Sequence, residues 1–192
     1  TLSRQGALQA QVSITSQAQQ LELQADGDLN KLHLQIMHQA KQATALMPIA
    51  GQINADVMLG LAWPFPVTGS LQTDQLTVTV EQNSPLQLQK LHLDIDGSIE
   101  QLTLQSQGEL KADALFEHLP WVPFNLTSHW QDNQDLYLKA VLELLSGQLE
   151  LEGAVKRQQF KGKLAAKQLQ PGLLWPDYPG IVSGSSEITV NT

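Results

Sequence analysis

The chain has 192 residues, a formal net charge of -8, 42% hydrophobic residues, only 5% aromatic and 16% charged, and no cysteine. That balance excludes a disulfide framework and thiol chemistry, and an acidic chain without clustered Lys and Arg is a poor match for a nucleic-acid backbone. Gln, Thr, Ser and Asn fill the remainder, which suits pleated sheet with one apolar and one neutral polar face.

Alternation of apolar and polar residues runs from one end of the chain to the other and predicts strand after strand. The first clear pair is Leu21 and Leu23, then Leu32 and Leu34, on either side of the turn residues Asp26-Gly27-Asp28. Lys41 to Gly51 follows as a helix-like or irregular connector. Leu76, Val78 and Val80 then alternate up to Asn83-Ser84-Pro85. Leu91, Leu93 and Ile95 lead into Asp96-Gly97-Ser98, and Leu102 and Leu104 follow it. A second Pro-bearing connector spans Lys111 to Phe124. After it come Leu136, Leu138, Ala140, Leu142 and Leu144, set off by the turns Asp132-Asn133 and Ser146-Gly147, then Leu149 and Leu151, and Phe160 to Leu164. A third connector, Lys167 to Gly180, precedes a last run with Ile188 and Val190. That run reads as a strand cut in the middle, and with Thr1 in first place it leads us to expect a piece of a longer chain.

Gaps this short allow tight hairpins and exclude the crossovers that parallel strands need, so the expected fold is all-β, an antiparallel meander. The segment Gln20 to Gln35 matches Lys90 to Gln105 without a gap, keeping the Asp-Gly turn in register with the Leu positions. This internal repeat divides the chain into approximate units 1–51, 52–124 and 125–192.

No catalytic signature is present: there is no nucleophile elbow, zinc-protease helix motif or phosphate-cradling Gly loop, so the chain reads as no enzyme with no cofactor. His92, Asp94 and Asp96 alternate as a metal triad might, but on the wet face, and Asp132, Asn133 and Asp135 lack the spacing of a calcium loop. Both read as structural, and no metal site is expected. Lys156, Arg157, Lys161, Lys163 and Lys167 alternate with other residues as a solvated strand face does. Met37, Met47, Met58 and the four Trp residues admit two readings, adaptable lipid contacts or packing of connectors against the sheet.

Three features resemble the TamB family, which belongs with the AsmA-like and bridge-like lipid transfer proteins. They are Leu61-Ala62-Trp63-Pro64-Phe65; the block from Gly162 to Leu169 followed by Leu174-Trp175-Pro176-Asp177-Tyr178-Pro179-Gly180 and Ser183-Gly184; and the Leu-x-Leu-x-x-x-Gly cadence. The likeness covers the second half directly and the first half through the internal repeat. It implies a sheet curled into an open, taco-like groove, a periplasmic segment of a parent anchored in the inner membrane, partnership with the outer-membrane barrel TamA, and a part in phospholipid transport and outer-membrane biogenesis.

An apolar sheet face demands a cover, because each Leu left in water forgoes roughly 1.5–3 kcal/mol. Either the sheet closes into a dry sandwich or barrel, as a structural scaffold would, or it hosts a ligand. Aromatics that would fill a closed interior are sparse and gathered mostly in the connectors, which favours the groove. The expected acyl-chain lining is Leu21, Leu23, Leu32, Leu34, Leu76, Val78, Val80, Leu91, Leu93, Ile95, Leu102, Leu104, Leu136, Leu138, Leu142, Leu149, Leu151, Leu164, Ile188 and Val190.

Overall fold

A computed structural model describes residues 7–42, 49–79, 85–112, 120–131, 135–156 and 159–191. The alternating segments form twelve strands: β1 (Leu8–Thr15), β2 (Gln19–Gly27), β3 (Lys31–Ala40), β4 (Ile49–Gly60), β5 (Val67–Thr79), β6 (Pro85–Gly97), β7 (Gln101–Ala112), β8 (Val122–Gln131), β9 (Asp135–Leu144), β10 (Gly147–Lys156), β11 (Gln159–Leu169) and β12 (Val182–Asn191). They make one sheet whose spatial order is their chain order, every pairing antiparallel. Eleven strand spacings give a length of roughly 50 Å across the sheet.

Among the described residues the expected turns form where the sequence places them. Asp28 Oδ1 accepts from the backbone N–H of Asn30 (2.7 Å) and Lys31 (3.0 Å), and the repeat-related Ser98 Oγ accepts from Glu100 N–H (3.2 Å). Short polar side chains tie such turns by this local capture of backbone donors. Leu145 and Ser146 both have positive φ, 51° and 60°, in the two-residue link between β9 and β10. That is the backbone hand matching the twist of the flanking strands.

The connectors depart from expectation at their ends. Ile49 to Gly51, Lys111 to Ala112, Val122 to Phe124 and Lys167 to Leu169 are strand, because each extends a ladder already paired to its neighbour. Among the described residues only the third connector contains a helical turn, the 3-10 segment Pro171–Leu173. The turns at Asn83-Ser84 and Asp132-Asn133, and Met47, Val80 and Arg157, lie outside the described residues.

Among the described residues nothing folds back over the sheet. Extensive packing joins only strands that are neighbours in the chain, and β12 does not pair with β1. The closed alternatives, sandwich and barrel, are therefore not what the chain adopts. The accessible surface is 13305 Å², against roughly 9,000 Å² for a compact protein of this mass. Among the described residues no helix is long and apolar enough to cross a membrane.

Three register irregularities bend the sheet. β5 carries one extra residue between its pairings with Gly51 and Asn54, β6 carries one at Lys90 (φ 52°), and β11 carries one at Gln168 (φ 53°). An extra residue in one strand kinks it and increases the local twist. The bulges of β5 and β6 lie side by side, so the two strands bend together and their mutual register continues through the site.

Candidate functional site

Cross-strand register decides which side chains share a face. Val12 pairs with Leu23, Leu23 with Ile36, Ile36 with Ala55, Ala55 with Leu71, and Leu71 with Leu93. The same face continues through Ser106, Leu126, Ala140, Leu151, Leu164 and Ser186 on β7 to β12. One apolar surface thus crosses all twelve strands.

Each described residue of the lining expected from the sequence projects from this one face, Val80 lying outside the described residues. Leu91 remains on it with Leu88, Leu86, Leu76 and Val78 even though the bulges shift the alternation of β5 and β6 by one residue. A strict two-residue period carried through Asp74 or Lys90 would have put half of each strand on the wrong side. The face also holds residues that the sequence reading passed over, including Ile14, Ile36, Ile53, Val57, Leu59, Leu71 and Leu110. For most of them alternation with polar neighbours, as in Gln52-Ile53-Asn54 and Ser70-Leu71-Gln72, was the available signal.

The aromatic residues divide between the two settings. Among the described residues Trp63, Phe65, Trp121, Trp175 and Tyr178 lie between strands, while Phe124, Trp130 and Phe160 stand on strands and face the apolar surface and Tyr137 stands on the polar one. Phe160 lies over the cross-strand pair Gly153 and Gly162, where a Cβ built on either glycine would meet its ring within 3 Å. The ring supplies the side-chain volume that two facing glycines lack. Met37 and Met58 project from the opposite, polar face, half exposed, and Trp63 is 68% exposed in its loop, stacked edge-on with Phe65.

Exposure identifies the inner side of the curl. Among the described residues the buried strand positions are Ala40, Leu76, Val122, His38, Thr73 and Ser128, and every one belongs to the apolar face. On β4 the apolar-face residues are half-buried while Gln52, Asn54, Asp56 and Met58 are exposed. Side chains on the inside of a bent sheet converge and shade one another, and those outside splay apart. The apolar face is therefore the floor and walls of an open trough. Among the described residues no large side chain in it is fully buried, as those of a filled core are.

The outer face is polar and internally paired. His33 bridges Asp56 (2.8 Å) and Asp26 (3.4 Å), and the Asp56 hydrogen bond holds the imidazole above its ordinary pKa while His33 in turn holds the Asp56 carboxyl low. Lys167 donates to Glu150 (2.5 Å) and Lys90 to Glu109 (2.9 Å), each lowering the carboxyl pKa. Tyr137 donates to Glu152 (2.5 Å), which holds the phenol proton on. These are exposed pairs, individually worth little. His92 and Asp94 are hydrogen-bonded at 3.0 Å on this face, and among the described residues no group of three or more His, Asp or Glu is placed to hold a metal. Two shallow hollows on the outer face, one lined by Gln11, Glu22, Gln24 and Gln35 and the other by Glu150, Lys161, Lys163 and Glu187, are lined by these amides and ion pairs.

Comparison with known proteins gives one positive result: the family described as TamB, N-terminal domain, matches residues 2–191. No curated protein and no solved structure matches the chain.

Proposed function

The chain belongs to the TamB family, and from that premise we propose that it is a non-enzymatic envelope segment whose trough shields lipid acyl chains on their way between the inner and outer membranes. In this reading it works in the periplasm within a parent anchored in the inner membrane, and it supports outer-membrane biogenesis together with a TamA-like barrel.

One observation carries the reading: the apolar face is continuous over twelve strands, and among the described residues no second layer covers it. Such a surface gains about 25 cal/mol for each Å² that hydrocarbon removes from water, and it asks for no directional contact. Leu, Ile and Val side chains of similar reach suit a flexible chain that lies at many positions along them. The polar outer face, stitched by its own pairs, keeps that side in water.

A photo-crosslinking residue at Leu138, on the trough face, is expected to capture phospholipid from cell envelopes, whereas the same probe at Lys139, on the outer face, is expected to capture none. Protein adducts alone from Leu138 would sink the lipid reading. They would favour the rival, a scaffold that pairs strands with a partner along β1, all of whose residues are exposed at the sheet edge.

A further inference from the structure

The apolar face carries a few polar side chains, Ser106, Ser128 and Ser186 among them, and on two others, His38 and Thr73, a buried polar atom has no partner. His38, 8% exposed, and Thr73, 4% exposed, are among the most buried residues of the chain. His38 Nε2 and Thr73 Oγ1 are both out of reach of water and without a hydrogen-bond partner. His38 pairs across the ladder with Leu21 and Ile53, and Thr73 with Leu91. Asn54 pairs with Gln72, which sets Thr73 on the far side of Ile53 from His38. The two groups thus occupy one transverse row, two strands and roughly 10 Å apart.

A buried donor without an acceptor is costly, and Leu or Val at these positions would avoid the cost with no loss to the sheet. Thr73 also stands directly beside the bulge of β5, where the floor bends. Two orphaned polar groups in a mainly aliphatic surface, the Thr73 hydroxyl and an imidazole nitrogen that donates in the Nε2–H tautomer, call for a ligand that is mostly apolar and carries acceptors a few bonds apart. Hydrocarbon alone offers no acceptor, and a free headgroup offers no apolar body.

We infer that His38 and Thr73 form a polar foothold for the ester linkages of a diacyl glycerolipid, the imidazole N–H and the threonine hydroxyl each donating to an ester carbonyl while the acyl chains spread over the neighbouring Leu and Ile residues. This rests on the lipid reading above and adds a fixed register to it. The lipid does not slide freely along the floor but pauses where its carbonyls meet β3 and β5. Uncovered neighbours such as Leu21 and Leu91 open the way by changing rotamer, a fast and inexpensive motion for aliphatic side chains that carry no layer above them.

The test compares phosphatidylethanolamine carrying ester-linked chains with its ether-linked counterpart of the same chains and headgroup, binding each to the 192-residue chain. The wild-type chain is expected to bind the ester form about tenfold more tightly, the discrimination that two such hydrogen bonds, each worth about threefold, supply together. The double variant His38→Leu, Thr73→Val is expected to bind both lipids alike, at the ether-lipid level. Thr73→Val alone keeps the side-chain shape, so its sheet content by circular dichroism stays unchanged and its discrimination drops to about threefold. Equal binding of both lipids by the wild type, or full discrimination by Thr73→Val and the double variant, would overturn the foothold and leave the trough reading standing. Oleate, which has a carboxylate and no ester, competing as well as the ester lipid would overturn the glycerolipid assignment. If the wild-type chain binds neither lipid, the trough reading falls first and the foothold with it.

Discussion

Replacing Leu138 by Ala measures whether anything lies over the apolar face. In a closed core the change costs about 3–5 kcal/mol, because the lost transfer energy is joined by the energy of the void left behind. Leu138 is half-buried, and its cross-strand partners on that face are Ser128 and Gly153, which offer little side chain to lean on. Shortening Leu to Ala removes three carbons, worth about 2.4 kcal/mol if fully buried. Half burial reduces this to about 1 kcal/mol, and an open surface leaves no void to add. With a urea slope of about 2 kcal/mol/M, the unfolding midpoint is expected to fall by about 0.5 M. Leu76, only 6% exposed, serves as the internal comparison, with an expected cost of about 2 kcal/mol for Leu76→Ala. A loss of 3 kcal/mol or more at Leu138 would mean that a second layer covers the face, and the reasoning from an open trough would be wrong.

Two further outcomes follow from particular contacts. Gly162→Val forces a Cβ to within 2.6 Å of the Phe160 ring and 2.5 Å of the Glu152 carbonyl oxygen, so it is expected to destabilise the β10–β11 ladder by about 1–3 kcal/mol in the same urea assay. A neutral result would show that the ring does not lie over the glycine pair. On the outer face, His33 gains its partner Asp56 in the folded chain, which raises the imidazole above 6.5 and lowers the carboxyl below 3.8. The raised His33 contributes stability that is complete below pH 6.5 and is lost as pH rises through the folded value. The lowered Asp56 contributes stability present above pH 3.8 and lost as pH falls through its folded value. The bridge is therefore strongest between about pH 4 and 6.5. An NMR titration is expected to place the His33 midpoint above that of a free imidazole and to bring it down in Asp56→Asn; an unchanged midpoint in that variant would remove Asp56 as the cause.

The strands, their antiparallel order and the common face of the described apolar residues from Leu21 to Val190 were legible because alternation has the same period as the pleat. The Asp26-Gly27-Asp28 and Asp96-Gly97-Ser98 turns were legible because they carry their own hydrogen-bonding chemistry. Ile49 to Gly51 and Val122 to Phe124 were missed as strand. Pro, Gly and aromatic residues at their edges read as breaks, and only the pairing of β4 with β5 and of β8 with β7 overrides that local signal. The bulges at Asp74 and Lys90 were also hidden. An extra residue announces itself only when a partner strand is present to count against, yet it decides on which side Leu76, Val78, Leu86 and Leu88 fall.

By itself the sequence determined that the chain is a β-meander with one apolar and one polar face, since the identity of each residue and the two-residue period of an extended backbone suffice for that. It could not determine what lies above the apolar face, because alternation is identical under a second sheet, inside a barrel and beneath a lipid. Only the tertiary structure decided it: β12 does not pair with β1, among the described residues no layer returns over the floor, and His38 and Thr73 share one buried row although 34 residues of chain lie between them.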